Sequence, residues 1–162
     1  MRHIVTRSIC VFALTALLFA IASAEGKKNC QSAGGMLMTN FGAIDANTTM
    51  GVATGDLKGA VAATILSIDG QIGGPSLVFT VQHHWVTESG DTPNFAKAQA
   101  SANQVAPNTL RYGIVSYPVH LNGGTGKFAN ASGDLDVIGE ADLASGQLVF
   151  RYSGTICYAQ RD

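Results

Sequence analysis

The adjacent pair His83-His84 is the first place where this chain offers chemistry. An imidazole titrates near neutrality and serves as acid, base, hydrogen-bond donor or metal ligand. Neighbouring residues of an extended strand point to opposite faces. The two rings therefore do not converge on one ion, and no cysteine or carboxylate pair stands beside them at ligand spacing. No metal is expected. His83 shares its face with Leu77, Phe79, Val81 and Trp85, so it is the polar candidate of an apolar face. His84 falls on the solvated side. If the apolar face lines a cavity, His83 is placed to donate to a ligand oxygen or to exchange a proton with it. Tyr112 and His120 share a face of a later segment, and Tyr152 shares one with Phe150. His83, Trp85, Tyr112, His120 and Tyr152 form the candidate ligand-binding set, aromatic walls with a few polar tips. The competing interpretation is a packed core with tyrosine hydroxyls at its rim.

The remaining polar residues have simpler explanations. Asp56, Glu88 and Asp91 lie in turns, where carboxylates usually accept backbone N–H groups. Asp134, Asp136, Glu140 and Asp142 alternate along one strand and read as a solvated exterior. There is no Gly-x-Ser-x-Gly elbow, no Cys-His arrangement and no phosphate loop. No catalytic residue is assigned, and nothing calls for a cofactor. Asn47-Thr48-Thr49 and Asn130-Ala131-Ser132 match the acceptor pattern for N-glycosylation, which matters only in a host that glycosylates.

These side chains belong to an exported chain. Arg2, His3 and Arg7 precede an apolar run, Ile9 to Ile21, and Ala22-Ser23-Ala24 supplies a small-residue cleavage site. Residues 1–24 are expected to be a signal peptide, and residues 25–162 a single secreted or periplasmic domain. The apolar run is shorter than a comfortable membrane span, so no integral span is expected after cleavage. Cys10 leaves with the leader. Cys30 and Cys157 remain, and an even pair in an oxidising compartment is most simply a disulfide. The formal charge of the whole chain is −1. Loss of Arg2 and Arg7 makes the domain slightly more acidic, which argues against nucleic acid as a partner.

The elements are short alternating segments separated by turn signals. Met36–Phe41, Thr48–Gly55, Asp56–Ile68 and Leu77–Thr87 read as strands. Gly90-Asp91-Thr92-Pro93 is a turn. Phe95–Asn103 is rich in alanine, which favours helix, but its small and polar residues alternate with period two, so strand is preferred. Arg111–Leu121 is a strand that Pro118 interrupts, implying an edge or a bulge. Asp134–Asp142 and Gln147–Cys157 form a last hairpin around Ala144-Ser145-Gly146. About eight strands without a long helix predict an all-β fold, a closed antiparallel eight-stranded barrel. Closure also brings the first strand beside the last, and Cys30 near Cys157. A two-sheet β-sandwich explains the same alternation.

The run Gly123-Gly124-Thr125-Gly126-Lys127-Phe128, then Ala131-Ser132-Gly133 and Gly154-Thr155-Ile156-Cys157, resembles the barrel superfamily of allene oxide cyclases and dirigent proteins, and most closely its small secreted bacterial relatives. Gly55-Asp56-Leu57-Lys58-Gly59 and Glu88-Ser89-Gly90-Asp91 look like earlier elements of the same family. Gly123, Gly124, Thr125 and Gly126 serve as a structural turn. The resemblance implies an eight-stranded barrel whose cavity takes a small apolar ligand. It does not imply one activity, since the cyclases close a fatty-acid epoxide and the dirigent proteins steer phenoxy-radical coupling. Two functional expectations follow, with a purely structural secreted module as a third. One is an exported barrel without enzymatic activity that binds a hydrophobic or phenolic ligand. The other is an isomerase or cyclase with His83, Tyr112 and His120 around one enclosed space.

Overall fold

A computed structural model describes residues 28–160. The expected signal peptide and its cleavage site lie outside the described residues. The strands are β1 (Lys28–Asp45), β2 (Thr48–Ala53), β3 (Gly59–Asp69), β4 (Ser76–Thr87), β5 (Pro93–Phe95), β6 (Ala98–Gln104), β7 (Arg111–Ser116), β8 (Pro118–Gly124), β9 (Ser132–Asp142) and β10 (Gln147–Ala159). Short 3₁₀ turns lie at Gly55–Leu57 and Gly126–Phe128. The sheet runs β10-β1-β2-β3-β4-β6-β7-β9, and β10 also pairs with β9, which closes it into an eight-stranded antiparallel barrel. β8 and β5 are the two additional strands, β8 on β9 and β5 on β8. Among the described residues no helix is long and apolar enough to cross a membrane.

Alternation decides what lies inside. Leu77, Phe79, Val81 and Trp85 are buried on β4, Leu148, Phe150 and Tyr152 on β10, and Leu135, Val137 and Ala141 on β9. The alanine-rich segment is a strand, β6, with Ala98, Ala100 and Ala102 buried in alternation. Small side chains on this wall leave room in the lumen. The acidic residues of β9 fall on the other face, where Asp134 and Asp136 are exposed.

One end of the barrel is stoppered. Leu57 and Phe128, one from each 3₁₀ turn, have no exposed surface. Leu57 is held at both backbone groups. Its N–H donates to Tyr152 Oη at 2.9 Å, and its carbonyl accepts from Trp85 Nε1 at 2.7 Å. The Tyr152 hydroxyl donates in turn to the Thr54 carbonyl at 2.7 Å. This approach requires Gly35, because a Cβ there would lie 2.6 Å from Tyr152 Oη and closer still to the Thr54 carbonyl oxygen. The run Gly123–Gly126 forms the turn at the same end. Gly126 has φ +53°, and the Asp91 carboxylate occupies the space a side chain would need. The Thr125 hydroxyl accepts from the Thr92 N–H at 2.8 Å.

Cys30 and Cys157 are directly opposite on β1 and β10 and are joined by a disulfide across 127 residues of sequence. On the chain-entropy argument, a loop of this length is stabilised by roughly 4–5 kcal/mol relative to the open unfolded chain. Replacing both cysteines by serine should lower the urea midpoint, with a loss approaching that figure and the barrel signal retained in circular dichroism. An unchanged midpoint would show that the seam is held by backbone pairing alone.

Candidate functional site in the barrel lumen

The lumen contains a cavity of about 70 Å³. Its walls are nearly all apolar, among them Val61, Phe79, Val81, Ala100, Val137 and Phe150. It runs from Trp85 and Tyr152, above the stopper, towards Phe41, Ile65, Ile114 and Leu143 at the other end. Those four are only half-buried, so they form an apolar mouth.

Four polar side chains without a tie to the stopper line this space, Thr39, Thr49, His83 and Tyr117, and of these the last two are bonded to one another. His83 Nε2 lies 2.7 Å from Tyr117 Oη. The rings are stacked at 5.7 Å between centroids, inclined by 28°. They stand in an aromatic series. Phe95 meets His83 edge-on at 5.7 Å, Trp85 lies 5.6 Å from Phe95, and Phe150 lies 6.4 Å from Tyr117. Such pairs add stiffness beyond the area they bury. His83 keeps some exposed surface as a residue, but its Nδ1 is sealed from solvent and has no partner.

Burial sets the electrostatics. An imidazolium inside an apolar wall loses its hydration, and this, with the neighbouring His84 as a lesser cause, lowers the His83 pKa to about 4. Burial likewise raises the Tyr117 phenol well above its ordinary value. Both groups are neutral near pH 7. No lysine, arginine or carboxylate lines the cavity.

The candidate set separates on this geometry. His83, Trp85 and Tyr152 line the cavity, while Tyr112 and His120 do not. The hydrogen-bonding groups of Trp85 and Tyr152 are committed to the stopper. Tyr112 is fully buried in the core but does not line the cavity. Its hydroxyl accepts from the Gly73 N–H at 2.8 Å and donates to the Gly74 carbonyl at 3.1 Å, pinning the loop between β3 and β4. His120 faces outward, with Nδ1 2.5 Å from Asp134 Oδ1 on the adjacent strand. His83, Tyr112 and His120 therefore do not surround one space. The expectation that Tyr112 and His120 share a face assumed one continuous strand. The strand is interrupted at Tyr117, between Ser116 and Pro118, and the alternation changes phase there. Tyr112 precedes the interruption, whereas Tyr117, at it, and Val119, after it, are buried.

That phase change turns Tyr117 inward, and sequence reasoning missed this residue. The available signal was Pro118, which removes a ladder donor and marks an irregularity. Of the turn carboxylates Asp56, Glu88 and Asp91, only Asp56 accepts a backbone N–H, and Asp91 accepts instead from the Ser89 hydroxyl at 3.1 Å. Asp56 accepts from the Gly34 N–H at 2.8 Å, and Glu88 pairs with Lys58 at 2.6 Å. Among the described residues no group of three or more histidines, cysteines and carboxylates is placed to hold a metal ion. No protein family, curated protein or solved structure compared with this chain matches it.

The depressed His83 pKa makes stability depend on pH with a definite sign. The unfolded histidine takes up its proton near pH 6.5, the folded one near pH 4. Between these values the unfolded state binds more protons, so stability falls as pH drops through the window and levels off below it. The drop should be on the order of 3 kcal/mol. Urea unfolding from pH 7.5 to 4 should show it, and His83→Gln should flatten that part of the curve. A wild-type curve flat over this range would contradict a buried neutral His83.

A second outcome concerns the stopper. Tyr152→Phe leaves the Leu57 N–H and the Thr54 carbonyl without partners. The loss should be about 1–3 kcal/mol, read as a lower denaturation midpoint. Amide exchange at Leu57 should quicken more than exchange along β10.

Proposed function

We propose that this protein is an exported barrel without enzymatic activity that takes a small apolar molecule into its lumen. The observation that carries this reading is the apolar cavity of about 70 Å³ opening at a rim of half-buried Phe41, Ile65, Ile114 and Leu143. A void of this kind forfeits packing contacts unless something fills it. Dry apolar cavities also accept apolar guests more readily than water. The resemblance of the Gly123–Cys157 region to the allene oxide cyclase and dirigent superfamily points the same way, as does the export pattern of residues 1–24 together with the disulfide. A cyclase reading draws no support from side-chain placement, because neither Tyr112 nor His120 lines the cavity.

The volume favours slender guests, a short chain or a single ring. Thermal denaturation in the presence of small hydrocarbons and phenols should show a rise of a few degrees for those that fit. A ligand held at one hundred times its dissociation constant contributes about 2.7 kcal/mol. Ala63→Trp, on the strand beside His83, should fill the lumen and abolish the rise while leaving the barrel folded. Ala63 is half-buried there and lines the cavity. No stabilisation by any slender apolar compound would remove this reading.

A further inference from the structure

The His83–Tyr117 contact can be followed proton by proton. A neutral imidazole has one N–H and one lone pair, and a phenol has one O–H and lone pairs on its oxygen. The bond between Nε2 and Oη consumes one donor, whichever way it runs. One donor is left over. If the hydroxyl donates, the spare proton sits on Nδ1, which is buried and has no partner. An orphaned buried N–H is rarer in folded proteins than an acceptor with an unused lone pair. The less costly arrangement puts the imidazole proton on Nε2, which donates to Tyr117 Oη. Nδ1 then keeps only a lone pair. The spare donor becomes the Tyr117 hydroxyl, whose only described hydrogen-bond partner is His83 and whose side chain lines the lumen. The Nε2–H bond also polarises that hydroxyl and strengthens it as a donor.

Building on the lumen as a binding site, we infer that the Tyr117 hydroxyl, oriented by His83, recognises the guest, and that the guest is a slender uncharged molecule with one acceptor-only oxygen, a ketone, aldehyde or ester carbonyl. A carbonyl closes the count, with one donor meeting one acceptor and no proton left over. An alcohol or phenol would bring a further proton, and of the other polar side chains at the cavity Trp85 and Tyr152 are committed to the stopper and the Thr49 hydroxyl donates to the Ala63 carbonyl at 3.4 Å, which leaves the Thr39 hydroxyl to receive it. A carboxylate would enter without a counter-ion, since no cationic side chain lines the cavity. His83 acts here as a positioning residue and Tyr117 as the contact.

The probes are 2-hexanone, n-hexane and hexanoate, titrated at pH 7 by NMR into purified wild-type protein and the Tyr117→Phe variant. Both proteins are first checked for a common fold by circular dichroism. Tyr117→Phe should weaken 2-hexanone roughly threefold to tenfold, the range of one neutral hydrogen bond. It should leave n-hexane unchanged, and hexanoate should not bind either protein. The carbonyl stretch of bound ¹³C-labelled 2-hexanone should lie below its value in hexane solution in the wild type, and should return to that value in Tyr117→Phe. His83→Leu should move the stretch part of the way back, a change that mere loss of packing would not produce. Equal effects of Tyr117→Phe on ketone and alkane, or an unshifted carbonyl in the wild type, would overturn the inference while the lumen still binds guests. Failure of both neutral probes to bind would instead remove the binding site itself. If Tyr117→Phe does not fold, the wild-type carbonyl frequency alone decides the matter.

Discussion

The ladder between β1 and β10 is the interaction on which the other features depend. It runs from Lys28 opposite Ala159 to Asn40 opposite Gln147, and joins residues at the two ends of the described chain. Without it the sheet is an open ribbon with two bare edges, and the inner face is merely one exposed side. With it, alternation along every strand becomes a distinction between inside and outside. The disulfide sits within this ladder, so sulfur and backbone fasten the same seam. Closing contacts so distant in sequence is entropically demanding. The seam is therefore where a covalent tie has the greatest effect on the unfolded chain.

Inside the closed sheet, polar groups divide by task. The Trp85 Nε1–H and the Tyr152 hydroxyl hold the Leu57 turn across one end. The Tyr112 hydroxyl holds the loop at Gly73 and Gly74. Each replaces water for backbone groups that burial would otherwise leave unpaired. His83 and Tyr117 serve no backbone group through their side chains. They satisfy one another only in part and stand midway along an apolar wall. Residual hydrogen-bonding capacity in a dry place is costly to keep, which separates this pair from the three structural aromatics.

Much of the architecture was legible in the sequence. Strict alternation in Leu77–Thr87 and Gln147–Cys157 identified both the strands and their inner faces, because period two leaves little choice once one face is apolar. Even Phe95–Asn103, where alanine favours helix, was decided by period, although the chain divides it between β5 and β6. Two cysteines near opposite ends, combined with closure, pointed to the seam. The candidate site was only half legible. His83, Trp85 and Tyr152 lie on uninterrupted strands, so counting by two placed them in the lumen. Tyr112, His120 and Tyr117 flank an interruption, and the count loses its phase there. Pro118 announces that interruption but not how many residues it consumes. The roles of Trp85 and Tyr152 were also hidden, since their partner, the Leu57 backbone, comes from a distant turn.

The stopper and the rim make the lumen a blind tube. Its sealed end is built from fully buried Leu57 and Phe128, and its other end from half-buried side chains. A guest of the kind proposed would pass the rim of Phe41, Ile65, Ile114 and Leu143, and no cross-strand bond need break for it to enter. Rotation of such half-exposed side chains takes far less time than separation of a closed sheet. Exchange of such a guest would be uncoupled from the durability of the shell, because the barrel is fastened by backbone and sulfur and not by the rim side chains.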